Sequence, residues 1–193
     1  MAHKIMIVRH AEKPGEPPPP HGVDATGEKS KESLIVRGWQ RSGALACLFS
    51  TWGAAARPGL GVPTTIYATK PGTKSERPLE TVSAVASLLN IVVNEGFGEG
   101  QEPALAAAAQ AADGPVLIGW HHENIPAIAN VILGNITTCP QKWPSSRFDV
   151  VWVFERTDIS WSFSQVPQMV LSGDQPTPIP MTVAGAPVAA ARG

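Results

Sequence analysis

Two short, uninterrupted apolar runs constrain this chain most: Ile5-Met6-Ile7-Val8 near the amino terminus and Pro115 to Trp120 in the second half. A strand with one wet face alternates apolar and polar residues. A run with no polar position must be covered on both faces, which places it inside a sheet with helices above and below. The sequence between and after these runs supplies the covers. Gly38 to Phe49 sets Trp39, Leu45, Leu48 and Phe49 at roughly helical intervals, with Arg37, Gln40 and Arg41 left for the wet side. Thr64 to Ala68 and Ile91 to Val93 read as further strands. Pro78 to Leu89, the Ala-rich Pro103 to Ala112, and Ile125 to Leu133 closed by Gly134 read as helices. Phe148 to Phe154 and Trp161 to Val166 read as a hairpin at a sheet edge. Strands alternating with helices predict an α/β fold, a three-layer αβα sandwich with a mostly parallel central sheet.

The 193 residues suit one domain, placed at 1–172. From Gly173 to the end the chain is rich in Pro, Ala and Gly with few large side chains, which predicts a mobile tail over 173–193. Four consecutive prolines at 17 to 20 make Pro14 to Gly27 a surface loop, since proline can join neither a helix interior nor an inner strand. Lys and Arg number 15 against 16 Asp and Glu, so no field of one sign would hold the chain on nucleic acid or an anionic membrane. No apolar stretch reaches membrane length. Cys47 and Cys139 are too few for a disulfide framework and lack the paired spacing of a thiolate metal site, which fits a cytoplasmic protein. Any anion must therefore be caught by a local pocket.

Such a pocket is legible at the carboxyl ends of the strands, where open α/β sheets bind their ligands. The first buried strand delivers Arg9 and His10 there, and Pro115 to Trp120 delivers His121 and His122 to the same rim. Arg77 and Lys74 leave a third strand on a loop that reaches that edge. Neutral imidazole is a competent nucleophile near neutral pH, and guanidinium grips phosphate oxygens bidentately. Histidines framed by two arginines are thus the inventory that phosphoryl transfer through a phosphohistidine needs. An Arg-His dipeptide alone is a weak signal, because buried histidines commonly just find a hydrogen-bond partner. The Gly59-Leu60-Gly61 and Gly96 to Gly100 clusters read as turns, lacking the strand-to-helix setting of a phosphate loop. A zinc hydrolase built on His10, His121 and His122 is disfavoured, since Arg9 would repel a cation.

The residues Val8-Arg9-His10-Ala11-Glu12-Lys13-Pro14 resemble the Arg-His-Gly signature of the histidine phosphatase superfamily, which includes the cofactor-dependent phosphoglycerate mutases and acid phosphatases. Leu34 to Ala44 resembles that family's Leu-x-x-x-Gly-x-x-Arg helix start, and Ser75 to Thr81 its Ser-x-Arg-x-x-x-Thr helix start. Val116 to Pro126 resembles the strand bearing its second catalytic histidine. The resemblance spans roughly residues 4 to 134 in order, and it implies a phosphoglycerate mutase-like fold. It also implies that His10 is the phosphorylated nucleophile, that Arg9 and Arg77 bind the phosphoryl group, and that a second histidine stabilises it in transfer. Mutase spacing to Ile125-Pro126 favours His121 in that role. A Trp-x-His-x-x-Ile-Pro pattern favours His122, which is preferred.

Three departures stand out. Ala11 replaces the family's glycine, and residues 70–74 lengthen the connection before Arg77. Neither the mutase glutamate nor the acid-phosphatase His-Asp pair is evident. Glu12, Glu95, Glu99 and Glu123 are the available carboxylates, with Glu12 and Glu123 taken as candidate proton donors. The expectation is a metal-independent, cofactor-free phosphatase acting on a small phosphorylated substrate. A non-catalytic binder of a phosphorylated metabolite or partner, and a phosphomutase, are the alternatives.

Overall fold

The computed structural model describes residues 1–70 and 75–181. Six strands form one sheet in the order β3-β2-β4-β1-β5-β6. These are β1 (Lys4–Arg9), β2 (Thr65–Thr69), β3 (Asn94–Phe97), β4 (Val116–Trp120), β5 (Val150–Arg156) and β6 (Trp161–Pro167). The four strands from β3 to β1 run parallel, and β5 and β6 complete the sheet antiparallel, as the expected edge hairpin. Helices α1 (Val36–Leu48), α2 (Thr51–Ala56), α3 (Arg77–Leu89), α4 (Glu102–Ala111) and α5 (Ile125–Leu133) provide the covers.

The alternation of side chains along a strand sorts β1 and β4 between two cores. Ile5, Ile7, Val116, Ile118 and Trp120 join Leu105 and Ala109 of α4 and Ile125, Ile128 and Ile132 of α5 in one. Met6, Val8, Ile66, Ala68 and Leu117 join Leu45 of α1 and Val82 and Val85 of α3 in the other. Both faces of the central strands are covered, which is the three-layer αβα architecture. Gly119 is where α3 comes closest: a Cβ there would stand 2.9 Å from both the Pro78 carbonyl oxygen and Val82 Cγ1. Only glycine lets the helix that begins with Arg77 lie so near the strand that ends at the paired histidines.

Two expectations need correcting. Ile91 to Val93 precede the third strand rather than form it; β3 begins at Asn94, where pairing with Tyr67 of β2 starts, and Val92 is exposed. Arg41 is not on the wet side of α1. Its side chain is buried, and its guanidinium bonds Glu12, Gln168 and Asp174. In the segment expected to begin a mobile tail, Asp174 bonds Arg41 and Ile179 is buried in the first core, while most of residues 173–181 are exposed. One contact is polar and one apolar, both to distant residues, which a composition argument does not register. The remainder of that tail, 182–193, lies outside the described residues, as does Lys74.

Candidate active site

Parallel pairing of β1 with β4 sets Arg9 opposite Trp120, and the His10 N–H donates to the Trp120 carbonyl over 2.9 Å. The next residues on each strand, His10 and His121, therefore leave the sheet side by side. Their ring centroids lie 5.6 Å apart, and the His122 ring lies 6.3 Å from that of His10. Residues more than a hundred positions apart thus meet at the carboxyl rim. Arg77 opens α3 beside them, with its Nη1 donating to the Lys31 carbonyl over 3.0 Å.

The His10 ring is fixed in one tautomer. Its Nδ1 lies 2.8 Å from the Ala11 carbonyl oxygen, and a carbonyl can only accept, so Nδ1 carries the proton and Nε2 keeps its lone pair. Burial first, and then the positive charge of Arg9, hold His10 well below the ordinary histidine value of 6.5. The neutral, nucleophilic form is the stable one. The Ala11 peptide is tied at its other end, where its N–H donates to Thr81 Oγ1 over 2.8 Å; that hydroxyl donates in turn to the Arg77 carbonyl over 2.7 Å. One side chain of α3 therefore links the peptide that orients His10 to the backbone of Arg77. Thr81 is the last residue of the Ser-x-Arg-x-x-x-Thr pattern, so the sequence carried its signal.

Arg9 is buried, and its Nη1 is committed to the Ser145 and Arg147 carbonyls at 2.5 and 3.2 Å. The Phe148 ring covers one face of its guanidinium at 3.9 Å from ring centre to Cζ. Its Nε and Nη2, with Nε of Arg77, are buried without a hydrogen-bond partner among the described residues. Burial lowers the Arg9 guanidinium to about 10, opposed by Glu123 and Glu12, and lowers Arg77 as well. Both remain cationic at neutral pH. Buried, charged donors without acceptors are costly, and an anion with several oxygens satisfies them.

The two rim histidines differ in surroundings. Glu99, in the loop after β3, brings a carboxylate oxygen to 3.5 Å from His121 Nε2. His121 lies below its ordinary value chiefly through burial, with Glu99 opposing. Glu123 Oε2 lies 2.8 Å from His122 Nδ1 but out of line, so that nitrogen has no hydrogen-bond partner among the described residues. Burial and then Arg9 push His122 down to about 4.

Glu12, expected as a proton donor, is turned to other work. Both its oxygens accept from Arg41, and Oε1 also accepts from Arg37 at 3.2 Å. Gly38 makes this possible, since a Cβ there would stand 2.6 Å from the Glu12 carbonyl oxygen. The Leu-x-x-x-Gly-x-x-Arg pattern thus docks α1 onto the segment that follows His10. A carboxylate whose oxygens are all engaged as acceptors is poorly placed to protonate a leaving group. Phe148, expected as the first residue of a strand, lies in the loop before β5, and nothing local in the sequence marks it as the aromatic that covers an arginine from β1. Among the described residues, no three His, Cys, Asp or Glu side chains form a metal-holding group.

No family model and no curated protein sequence matches the chain. Solved structures do, and they show the fold: the chain has the fold of the histidine phosphatases, the phosphoglycerate mutase-like α/β architecture. A variant of phosphoserine phosphatase from Entamoeba histolytica with phosphoserine is 12% identical at a TM-score of 0.55, covering 89% of this chain and 100% of that one. A mycobacterial glucosyl-3-phosphoglycerate phosphatase with VO3 is 14% identical at 0.51, covering 84% and 97%. The protein histidine phosphatase SixA with tungstate is 16% identical at 0.51, covering 86% and 97%. No helix among the described residues is long and apolar enough to cross a membrane.

Proposed function

We propose that this protein is a phosphomonoesterase that works through a phosphohistidine at His10. One observation carries the reading: a histidine held with Nδ1 protonated toward the Ala11 carbonyl shares its rim with three buried, partnerless guanidinium nitrogens of Arg9 and Arg77. A phosphoryl group supplies the missing acceptors. His10 Nε2 attacks phosphorus opposite the leaving oxygen, forming the P–N bond as the P–O bond to the leaving group breaks. Arg9 and Arg77 balance the charge on the phosphoryl oxygens throughout. Water then cleaves the P–N bond, releasing phosphate and restoring neutral His10.

His121 is the better assignment for the second histidine, in place of the sequence preference for His122. It leaves β4 in register with His10, and Glu99 stands beside its Nε2 as the nearest carboxylate for proton transfer. His122 and Glu123 form the outer flank next to Arg9. Phosphatases among the structural neighbours support the class of reaction. The free thiols of Cys47 and Cys139 support a reducing, cytoplasmic setting.

The test is turnover of p-nitrophenyl phosphate by wild type, His10→Ala, His121→Ala and His122→Ala. The reading expects no turnover from His10→Ala and a larger loss from His121→Ala than from His122→Ala. Binding of the ester without hydrolysis by wild type would replace it with the non-catalytic alternative.

A further inference from the structure

Glu102 opens α4, yet it is turned inward and only 5% exposed. A carboxylate in the first turn favours the helix dipole from the surface equally well, and burying one costs free energy unless its oxygens are bonded. Here a single oxygen holds two donors. The Gly100 N–H and the Trp120 indole N–H both donate to Glu102 Oε1, each over 3.2 Å.

Those donors are the chain neighbours of the carboxylate and imidazole that meet at the rim. Gly100 follows Glu99, and Trp120 precedes His121, whose Nε2 lies 3.5 Å from Glu99 Oε1. Trp120 is fully buried and held by strand register opposite Arg9, so it is a fixed anchor. The other bonds of the loop close it on itself or on β2. The Gly98 N–H donates to Gln101 Oε1 over 2.9 Å, the Gln101 N–H to the Gly98 carbonyl over 3.1 Å, and the Lys70 N–H to the Phe97 carbonyl over 2.8 Å. None of these three reaches β4, whereas the Glu102 oxygen does.

Resting on the phosphomonoesterase reading with Glu99 as its proton carrier, we propose that Glu102 is a positioning residue that sets Glu99 against His121 through Gly100 and Trp120. In its acid form Glu99 gives a proton to the leaving oxygen as the P–O bond breaks. The resulting carboxylate takes a proton back from the water that attacks the P–N bond. Glu102 touches neither substrate nor reacting atoms, so its loss slows the proton step alone. That step governs a leaving group that must be protonated and matters little to one that departs as a stable anion.

Phenyl phosphate needs that proton and 2,4-dinitrophenyl phosphate does not. Both are turned over by full-length wild type, Glu102→Leu and Glu102→Gln, the last keeping an acceptor oxygen. Glu102→Leu is expected to lose about tenfold in kcat on phenyl phosphate with KM little changed, and at most about twofold on the dinitrophenyl ester. Glu102→Gln should recover most of the loss. Placed on Glu99→Gln, Glu102→Leu should cost nothing further. Equal effects on the two esters, or a loss that adds to that of Glu99→Gln, would overturn the proposal.

A second readout needs no turnover. Glu99 and Glu123 raise the His121 value, while Arg77 and Arg9 lower it. Titration of the His121 ring by NMR should give a lower value in Glu102→Leu than in the equally uncharged Glu102→Gln, because Glu99 has left its side. Equal values would overturn the proposal. If Glu102→Leu does not fold, Glu102→Asp, which keeps the charge and withdraws the oxygen by one methylene, replaces it in both measurements with wild type as its reference. Wild type inert toward both esters removes the hydrolase reading, while the titration still decides whether Glu102 places Glu99.

Discussion

The Thr81 hydroxyl of α3 accepts the Ala11 N–H over 2.8 Å. Through its second bond, to the Arg77 carbonyl, it couples the seat of the proposed nucleophile, His10, to the start of the helix that carries Arg77. Thr81→Val keeps the shape and removes both bonds. We expect kcat for p-nitrophenyl phosphate to fall about tenfold with a smaller change in KM, the loss of roughly one well-made hydrogen bond in the transition state. Thr81→Ser should recover most of it. A Val variant as active as wild type would remove Thr81 from the account.

Phe148 stands against Arg9 and His10 alike, with its ring centre 3.9 Å from the Arg9 guanidinium carbon and 6.2 Å from the His10 ring centre. It covers one face of a guanidinium whose Nε and Nη2 have no hydrogen-bond partner among the described residues. Phe148→Ala should weaken inhibition by inorganic phosphate about fivefold, within the range of a partly desolvated cation–π contact. Phe148→Tyr should not. The contact is idle if the Ala variant keeps the wild-type inhibition constant.

The rim histidines make stability depend on pH with a definite sign. Burial and neighbouring cations hold His10, His121 and His122 below the ordinary 6.5, His122 at about 4, so the folded chain binds fewer protons than the unfolded one below that value. Their contribution is fully present above about pH 6.5 and is lost as pH falls from there toward the folded values. The urea midpoint should drop across this window, and less steeply in His10→Asn. A midpoint whose pH dependence is identical in both proteins would contradict the assignment.

The chain's own pattern exposed the fold well where one residue type decides the matter. Ile5 to Val8 and Val116 to Trp120 are apolar at every position, and that alone demands covers on both faces. The meeting of His10 with His121 followed from placing both at strand ends. What remained hidden depends on partners far away in the chain. Helical periodicity put Arg41 outside because it counts apolar positions, whereas Arg41 is stabilised inside by Glu12 and by Asp174, which lies beyond the last strand. Glu12 looked free to donate a proton for the same reason. Within 173–181, where small residues and prolines dominate, the contacts of Asp174 with Arg41 and the burial of Ile179 were hidden for the same reason.

That tie is measurable. Asp174 receives Arg41 at 2.8 Å and the N–H groups of Val170 and Leu171 at 2.9 and 3.0 Å. Asp174→Ala leaves a buried guanidinium with fewer partners and two amides without their acceptor. It should cost about 3 kcal/mol in urea unfolding, the scale for breaking one side of a buried pair. A loss within about 0.5 kcal/mol, the scale of an ordinary surface change, would mean that water takes over these roles and that the segment is not held by Asp174.

The claim beneath all of this is that phosphorus becomes bonded to His10. Rapid acid-free quenching of wild type during turnover of p-nitrophenyl phosphate, followed by peptide mass analysis, reads it directly. The account predicts an acid-labile phosphoryl group on the peptide containing His10, absent from His10→Ala and longer-lived in variants that slow hydrolysis. Steady turnover with no phosphoryl group on that peptide, or with undiminished turnover by His10→Ala, would contradict it.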